Sequence, residues 1–246
     1  MPSAALSTGS SDRSKLHKLA LKGSSKTIVE FFDFACNTIL FQRGVYPPED
    51  FTTYESPKFS PGQWRAHGTP HVKKYGLNMM TSCDDQVKAY MKKIMSQLSK
   101  WMQKSKISKL VIVVTDKETG EHVERWQFDV NIFNDPTKSP KPRTTTTPNQ
   151  ENTATPAPPT EKSEAEIQQD IQSLFRQITA SVTFLPMLSS PCTFNVLVYA
   201  DADSEVPLEW GDSDAKEVKN GEKVVLRSFS TGNHRVDTAV SYRLAE

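Results

Sequence analysis

The sequence predicts an α+β protein in which three amphipathic helices cover a mainly antiparallel sheet. Three observations carry that expectation. Apolar residues recur at spacings of three and four in three separate stretches. Apolar and polar residues alternate in others, and the two patterns fall in segregated runs rather than as repeated βαβ units.

The first helical pattern starts at Ser24. Ile28, Phe31, Phe32, Ala35, Cys36, Ile39 and Leu40 form one broad apolar stripe, with Ser24 or Ser25 as N-cap and Tyr46-Pro47-Pro48 as the stop. Residues 1–20 ahead of it read as a flexible arm, and 21–246 as a single domain. Residues 54–71 hold three prolines, two glycines and no periodicity, which marks an irregular insertion. A second helix is expected over 84–102, its stripe made by Val87, Tyr90, Met91, Ile94, Leu98, Trp101 and Met102. Ser82, Asp84 and Asp85 suit its positive N-terminal end.

Strands follow. Residues 110–114 (LVIVV) are a continuous apolar run, as expected of a strand covered on both faces. After a turn at Thr119-Gly120, Trp126, Phe128, Val130 and Ile132 alternate with Arg125, Gln127, Asp129 and Asn131, which predicts a half-buried partner strand and a hairpin. Residues 134–163 are rich in Pro, Thr and Lys and bury too little apolar area to offset chain entropy; they read as an expanded disordered loop inside the one domain. The third helix is expected over 164–184, lined by Ile167, Ile171, Leu174, Ile178 and Val182, with Phe175 and Leu185 beside them and Pro186 as its end.

Cys192, Phe194, Val196 and Val198 then share one face of a strand over 192–199, and 224–229 and 236–244 are β-like. Between them lies a long polar connection, DADSEVPLEWGDSDAKEVKNGEK (201–223). Irregular segments of that length inside a compact domain tend to be functional. Trp210 stands within it, flanked by Glu209 and Gly211, where no core stripe accounts for it; it reads as an aromatic anchor or as packing under a loop.

The 246 residues are 36% hydrophobic and 24% charged with a formal net charge of +1, which supports a real core and argues against a broad phosphate-gripping face. Cys36, Cys83 and Cys192 form no CxxC pair and no disulfide framework. The N-terminal segment lacks a signal-peptide core, and no apolar run approaches the ~20 residues of a membrane span, so a nuclear or cytosolic protein is expected.

Catalytic signatures are absent: no GxSxG, no phosphate-binding GxxxxGK[ST], no GxGxxG and no HExxH. Lys22-Gly23-Ser24-Ser25-Lys26 lacks the upstream glycine of a phosphate loop and reads as helix capping. His67 and His71 have a metal-like spacing, but Gly68 and Pro70 intervene, so a solvated loop is expected. An enzyme would need unsignatured residues such as Ser228 and His234, whose simpler reading is a strand serine and a loop histidine. No catalytic residue, metal or cofactor is expected. Six Ser/Thr-Pro dipeptides in the insert and the linker (Ser56, Ser60, Thr69, Ser139, Thr147, Thr155) are candidate proline-directed phosphorylation sites.

Several blocks are recognisable together: LKGSSKTIVEFF and NTILFQRGVYP within 21–47, KYGL at 74–77, VERWQFDV at 123–130, FRQITASVTFLP at 175–186, CTFNVLVYADADSEVP at 192–207 and VVLRSFSTGNHRVDTAVSYR at 224–243. In this order they closely resemble the spindle-checkpoint HORMA family, and fungal members most. The resemblance covers nearly all of 21–244 except the two irregular segments; relatives pass almost directly from the FT at 51–52 to KYGL. It implies a HORMA fold, three helices on a mainly antiparallel sheet, in a protein that is not an enzyme and has an open and a closed form. In the closed form a mobile C-terminal safety belt leaves one sheet edge and passes over a peptide, which pairs as an added strand on the exposed edge. That is the physics of strand addition between two packings of similar energy.

By motif, the resemblance assigns Phe194, Val196, Val198 and Tyr199 to the peptide-binding strand. It assigns Trp210, Val236, Val240 and Tyr242 to the belt, and Arg176, Gln177 and Phe184 to the contact by which an open copy docks on a closed one. Leu21 matches a leucine whose packing favours the open form. Implied partners are a coiled-coil kinetochore checkpoint receptor, the WD40 activator of the anaphase-promoting complex, a second copy in the other conformation, and an AAA+ remodeller with its adaptor. Neither nucleic acid nor membrane is implied, and the expected location is nucleus and kinetochore, also cytoplasm. The implied activity is sequestering the activator to delay anaphase; the alternatives within the fold are the translesion-polymerase accessory subunit and the meiotic axis proteins.

Overall fold

A computed structural model describes residues 10–54, 73–133, 162–201, 203–208 and 210–244. Helix α1 (Ser10–Gln42) runs through the centre of the molecule and begins well before Ser24. Ser24 and Ser25 are therefore interior helix residues, both buried, and not caps. Ser25 satisfies its hydroxyl by donating to the Leu21 carbonyl one turn back, at 2.8 Å. The other end of α1 also differs from expectation. Gly44 adopts φ 62°, its N–H reaches the Phe41 carbonyl at 3.1 Å, and the Val45 N–H reaches the Leu40 carbonyl at 3.1 Å. That pair of bonds is a Schellman stop, which needs a residue without a Cβ in the left-handed region, so Gly44 ends the helix before the prolines are reached.

A two-stranded sheet, β1 (Phe51–Thr53) with β2 (Met80–Ser82), brackets the first irregular segment. Helix α2 (Asp85–Gln103) is capped by Asp84, whose Oδ1 accepts the Gln86 and Val87 N–H groups at 2.7 and 2.9 Å. Strands β3 (Ile107–Asp116) and β4 (His122–Ile132) form the expected hairpin. Helix α3 (Glu164–Ala180) opens with a complete capping box between Ser163 and Glu166. It ends earlier than its apolar stripe suggested. The chain tightens to a 3-10 turn over Ser181–Thr183, and the change of angular step swings Val182 off the core face, leaving it 39% exposed.

The remaining strands are β5 (Cys192–Ala200), β6 (Glu222–Val225), β7 (Phe229–Ser230) and β8 (His234–Tyr242). The main sheet runs in the order β5-β3-β4-β8-β6, with β7 also on β8. Every described neighbour pair is antiparallel. The last long strand thus docks on β4, on the far side of the hairpin from β5. Its apolar residues Val236 and Val240 pair with Val130 and Trp126, so the alternation read in the sequence meets its complement directly.

The core lies between this sheet and the helices. Phe31 of α1 is its hub, with ring centroids 4.7 Å from Phe229, 5.3 Å from Phe175 and 5.8 Å from Phe128. These rings come from α1, β7, α3 and β4, and one cluster therefore ties both ends of the chain to the middle. An ion pair lies within the fold. Arg43 Nε donates to Glu124 Oε1 at 2.7 Å, Trp126 Nε1 donates to Glu124 Oε2 at 3.1 Å, and the Arg43 guanidinium also holds the Pro186 carbonyl. Both charged side chains are almost fully buried.

Candidate functional site

Strand β5 hydrogen-bonds to β3 and, among the described residues, to no strand on its other side. Its Val196 N–H points to that open side, where the Tyr90 hydroxyl of α2 accepts it at 3.4 Å. Backbone direction alternates along a strand, so Phe194, Val196 and Val198 present their main-chain groups to the open edge. Phe194 and Val196 turn their side chains into the core, while Val198 and Tyr199 are half-buried. The Phe194 ring is clasped edge-on by Tyr46 at 6.0 Å and by Tyr90 at 5.5 Å. The four strand residues singled out in the sequence therefore lie together along one unpaired edge. A row of outward N–H and C=O groups without a strand partner, over an apolar footing, is chemically a template for one more strand.

The segment 201–221 leaves the end of β5 and is fastened on both sides of the sheet. On the helical side, Trp101 Nε1 donates to the Glu205 carbonyl at 3.0 Å and Trp210 packs edge-to-face on Trp101 at 5.0 Å. Lys104 and Lys106 hold Glu205 and Asp203 by ion pairs at 3.1 and 2.6 Å. On the opposite side, Arg125 donates from Nε to the Ala215 carbonyl at 3.1 Å. Arg125 alternates with the core residue Trp126, so it faces away from the helices. Between Trp210 and Ala215 the ribbon consequently passes from one face of the sheet to the other before reaching β6 at the far edge. Trp210 is half-buried against α2, packed on another tryptophan.

Val236, Val240 and Tyr242 lie on β8 and are buried. The turn before β8 is tied to α1: Ser24 Oγ lies 2.6 Å from His234 Nδ1 and also bonds the Thr231 hydroxyl. His234 is completely enclosed, its Nε2 has no partner, and burial pushes its pKa down to about 4. Ser228 takes a different partner, the Arg235 guanidinium at 3.2 Å. The Ser228–His234 pairing that an enzyme would need is not made. The serine that does meet His234 is buried with it.

A second surface surrounds the end of α3. Arg176 is exposed, and Phe184 is 42% exposed with its ring 6.3 Å from that of Tyr242. Gln177 accepts the Arg227 N–H at 2.7 Å, so this surface is bonded to the segment leading into β8. Val182 and Met187 are exposed beside Phe184. Leu21 is half-buried inside α1, which extends through 10–20, where a flexible arm was expected.

Tyr90, Arg125 and Ser24 were not singled out as site residues by the sequence. Tyr90 fell on the apolar stripe of α2 yet lies at its margin, 38% exposed. Its polar tip on an otherwise apolar stripe is the one signal that could have marked it. His67, His71 and the six Ser/Thr-Pro dipeptides fall outside the described residues. Among the described residues, no group of three or more His, Cys, Asp or Glu could hold a metal ion, and no helix is long and apolar enough to cross a membrane.

Comparison with known proteins follows the same lines. The HORMA domain family model matches residues 24–234. The mitotic spindle checkpoint component mad2 of Schizosaccharomyces pombe is 48% identical over 225 residues, covering 92% of this chain and 94% of that protein. The mitotic spindle assembly checkpoint protein MAD2A of Homo sapiens is 37% identical over 226 residues, covering 92% and 93%. Among solved structures, a chain of the mitotic checkpoint complex superposes with a TM-score of 0.70 at 46% identity, covering 90% of this chain and 99% of that one. HTP-2 of C. elegans bound to the HIM-3 closure motif superposes with a TM-score of 0.60 at 13% identity, covering 91% of each chain, a likeness of fold alone.

Proposed function

The chain belongs to the HORMA domain family, and we propose on that footing that it is a spindle assembly checkpoint adaptor that entraps partner peptides. It works by binding rather than by turnover. An extended segment of the partner pairs with β5 through the outward main-chain groups of Phe194, Val196 and Val198, and the ribbon 201–221 closes over it. The single observation that carries this reading is the ribbon's double fastening, to Trp101 on one side of the sheet and to Arg125 on the other, together with a β5 edge that pairs with no strand among the described residues.

The arrangement also fits the closed form that the family resemblance implies: the tail is docked on β4, and among the described residues it does not cover the β5 edge. In the open form the same tail would occupy the other edge, and a ligand selects between the two by its differential affinity. The partners that fit are the coiled-coil kinetochore receptor and the WD40 activator of the anaphase-promoting complex, with sequestration of the activator delaying anaphase. Nucleus, kinetochore and cytoplasm are the corresponding locations. An open copy docks through Arg176, Gln177 and Phe184, and an AAA+ remodeller with its adaptor resets the closed form.

Pull-down with synthetic peptides from each partner class tests the assignment. Retention of the checkpoint-receptor and activator peptides is expected. Retention of only a translesion-polymerase or meiotic-axis peptide would move the chain to one of those branches of the fold.

A further inference from the structure

The open edge of β5 is not bare at its centre. Val196 lies midway along the outward-facing set, and its N–H already has an acceptor, the Tyr90 hydroxyl. At 3.4 Å that bond is near the outer limit for a hydrogen bond and correspondingly weak. Tyr90 reaches it from α2 with its ring edge-on to Phe194, 5.5 Å between centroids at 79°, so the aromatic contact and not the hydroxyl fixes the ring's position. The ring keeps a solvent-facing side, being 38% exposed.

Resting on the reading of β5 as a strand-addition edge, we propose that Tyr90 is a placeholder for a main-chain carbonyl of the bound peptide. In a ladder with β5, the central incoming carbonyl must bond the Val196 N–H, the same donor that the Tyr90 hydroxyl accepts from here. Binding therefore exchanges one acceptor for another at this position, while the neighbouring bonds at Phe194 and Val198 form afresh. The exchange has two uses. It keeps the centre of a sticky edge occupied until a proper strand arrives, which blunts nonspecific strand pairing. It also fixes register, because a ligand slipped by one residue turns its carbonyl away from the Val196 N–H and leaves Tyr90 undisplaced. Burial raises the phenol pKa, so the hydroxyl remains protonated and able to accept at ordinary pH.

Tyr90→Phe separates the hydroxyl from the ring, since the aromatic contact with Phe194 survives. The measurement is calorimetric titration of wild type and Y90F with a synthetic peptide spanning the receptor's bound segment, together with amide hydrogen exchange at Val196 in the unliganded proteins. Losing one weak competing bond should tighten the Kd about two- to fivefold, and Val196 exchange should quicken in Y90F. Equal or weaker peptide binding by Y90F, or equal Val196 exchange in the two proteins, overturns the placeholder role while leaving the edge as the binding site. Absence of binding by wild type itself overturns the edge reading and this inference with it.

Discussion

Ser24 Oγ lies 2.6 Å from His234 Nδ1, joining the middle of the first helix to the first residue of the last strand. The bond is buried on both sides and is shared with Thr231, so the position of the C-terminal hairpin is sensed by α1. His234 is thereby required to be neutral, since burial holds its pKa near about 4 against an ordinary 6.5. Above pH 6.5 the ring is uncharged folded or unfolded, and its titration costs nothing. As pH falls from 6.5 towards 4 the unfolded chain takes a proton that the folded chain refuses, so stability declines across that window and levels off below it. Urea unfolding at pH 7.5 and at pH 5 should show the loss, on the order of 2 kcal/mol. His234→Gln should flatten the difference.

Arg43→Leu should be among the most damaging single changes. It strands the buried Glu124 carboxylate, and with it the support for the Pro186 carbonyl. Breaking such a pair costs about 3–5 kcal/mol, a drop in Tm of roughly 10 °C for a chain of this size. Replacing both residues by leucine should restore much of the loss, and differential scanning calorimetry would read both variants.

Trp210→Ala should loosen the ribbon without unfolding the domain, because Trp210 packs on Trp101 from outside the main core. Loss of an aromatic anchor of about 2 kcal/mol corresponds to peptide release roughly thirtyfold faster. Surface plasmon resonance would show an unchanged off-rate if the ribbon does not retain the ligand.

Arg176→Glu should abolish self-association and leave peptide binding unchanged. Arg176 is exposed at the end of α3, away from the β5 edge, and reversing its charge makes a complementary contact repulsive. Analytical ultracentrifugation of mixed conformers, alongside peptide titration, checks both halves.

Deleting 237–246 should prevent the closed arrangement, since it removes most of the strand that pairs with β4 and β6. Gel filtration with a receptor peptide is the test; a truncated chain that carries the peptide through the column contradicts it.

The elements were legible where pattern and local chemistry agree. The apolar run at 110–114, the alternation of Trp126 to Ile132 and the acidic residues at Asp84 and Asp85 all lead to the observed strands and to the start of α2. Non-local facts were not. No periodicity within 234–242 says that it pairs with β4 rather than with β5, because its apolar residues suit either edge. The start of α1 was hidden by polar residues whose burial at Ser24 depends on Thr231 and His234, far away in sequence. The strand residues Phe194, Val196 and Val198 were readable from alternation, whereas Tyr90 became part of the site only when α2 was laid beside β5.

The seat of β8 governs how the strand can leave. Residues 124–132 of β4 bond it along one side and β6 and β7 along the other, so it cannot be peeled away a residue at a time without losing both ladders. Leaving this arrangement is therefore a cooperative event, in which the two ladders are given up together or not at all.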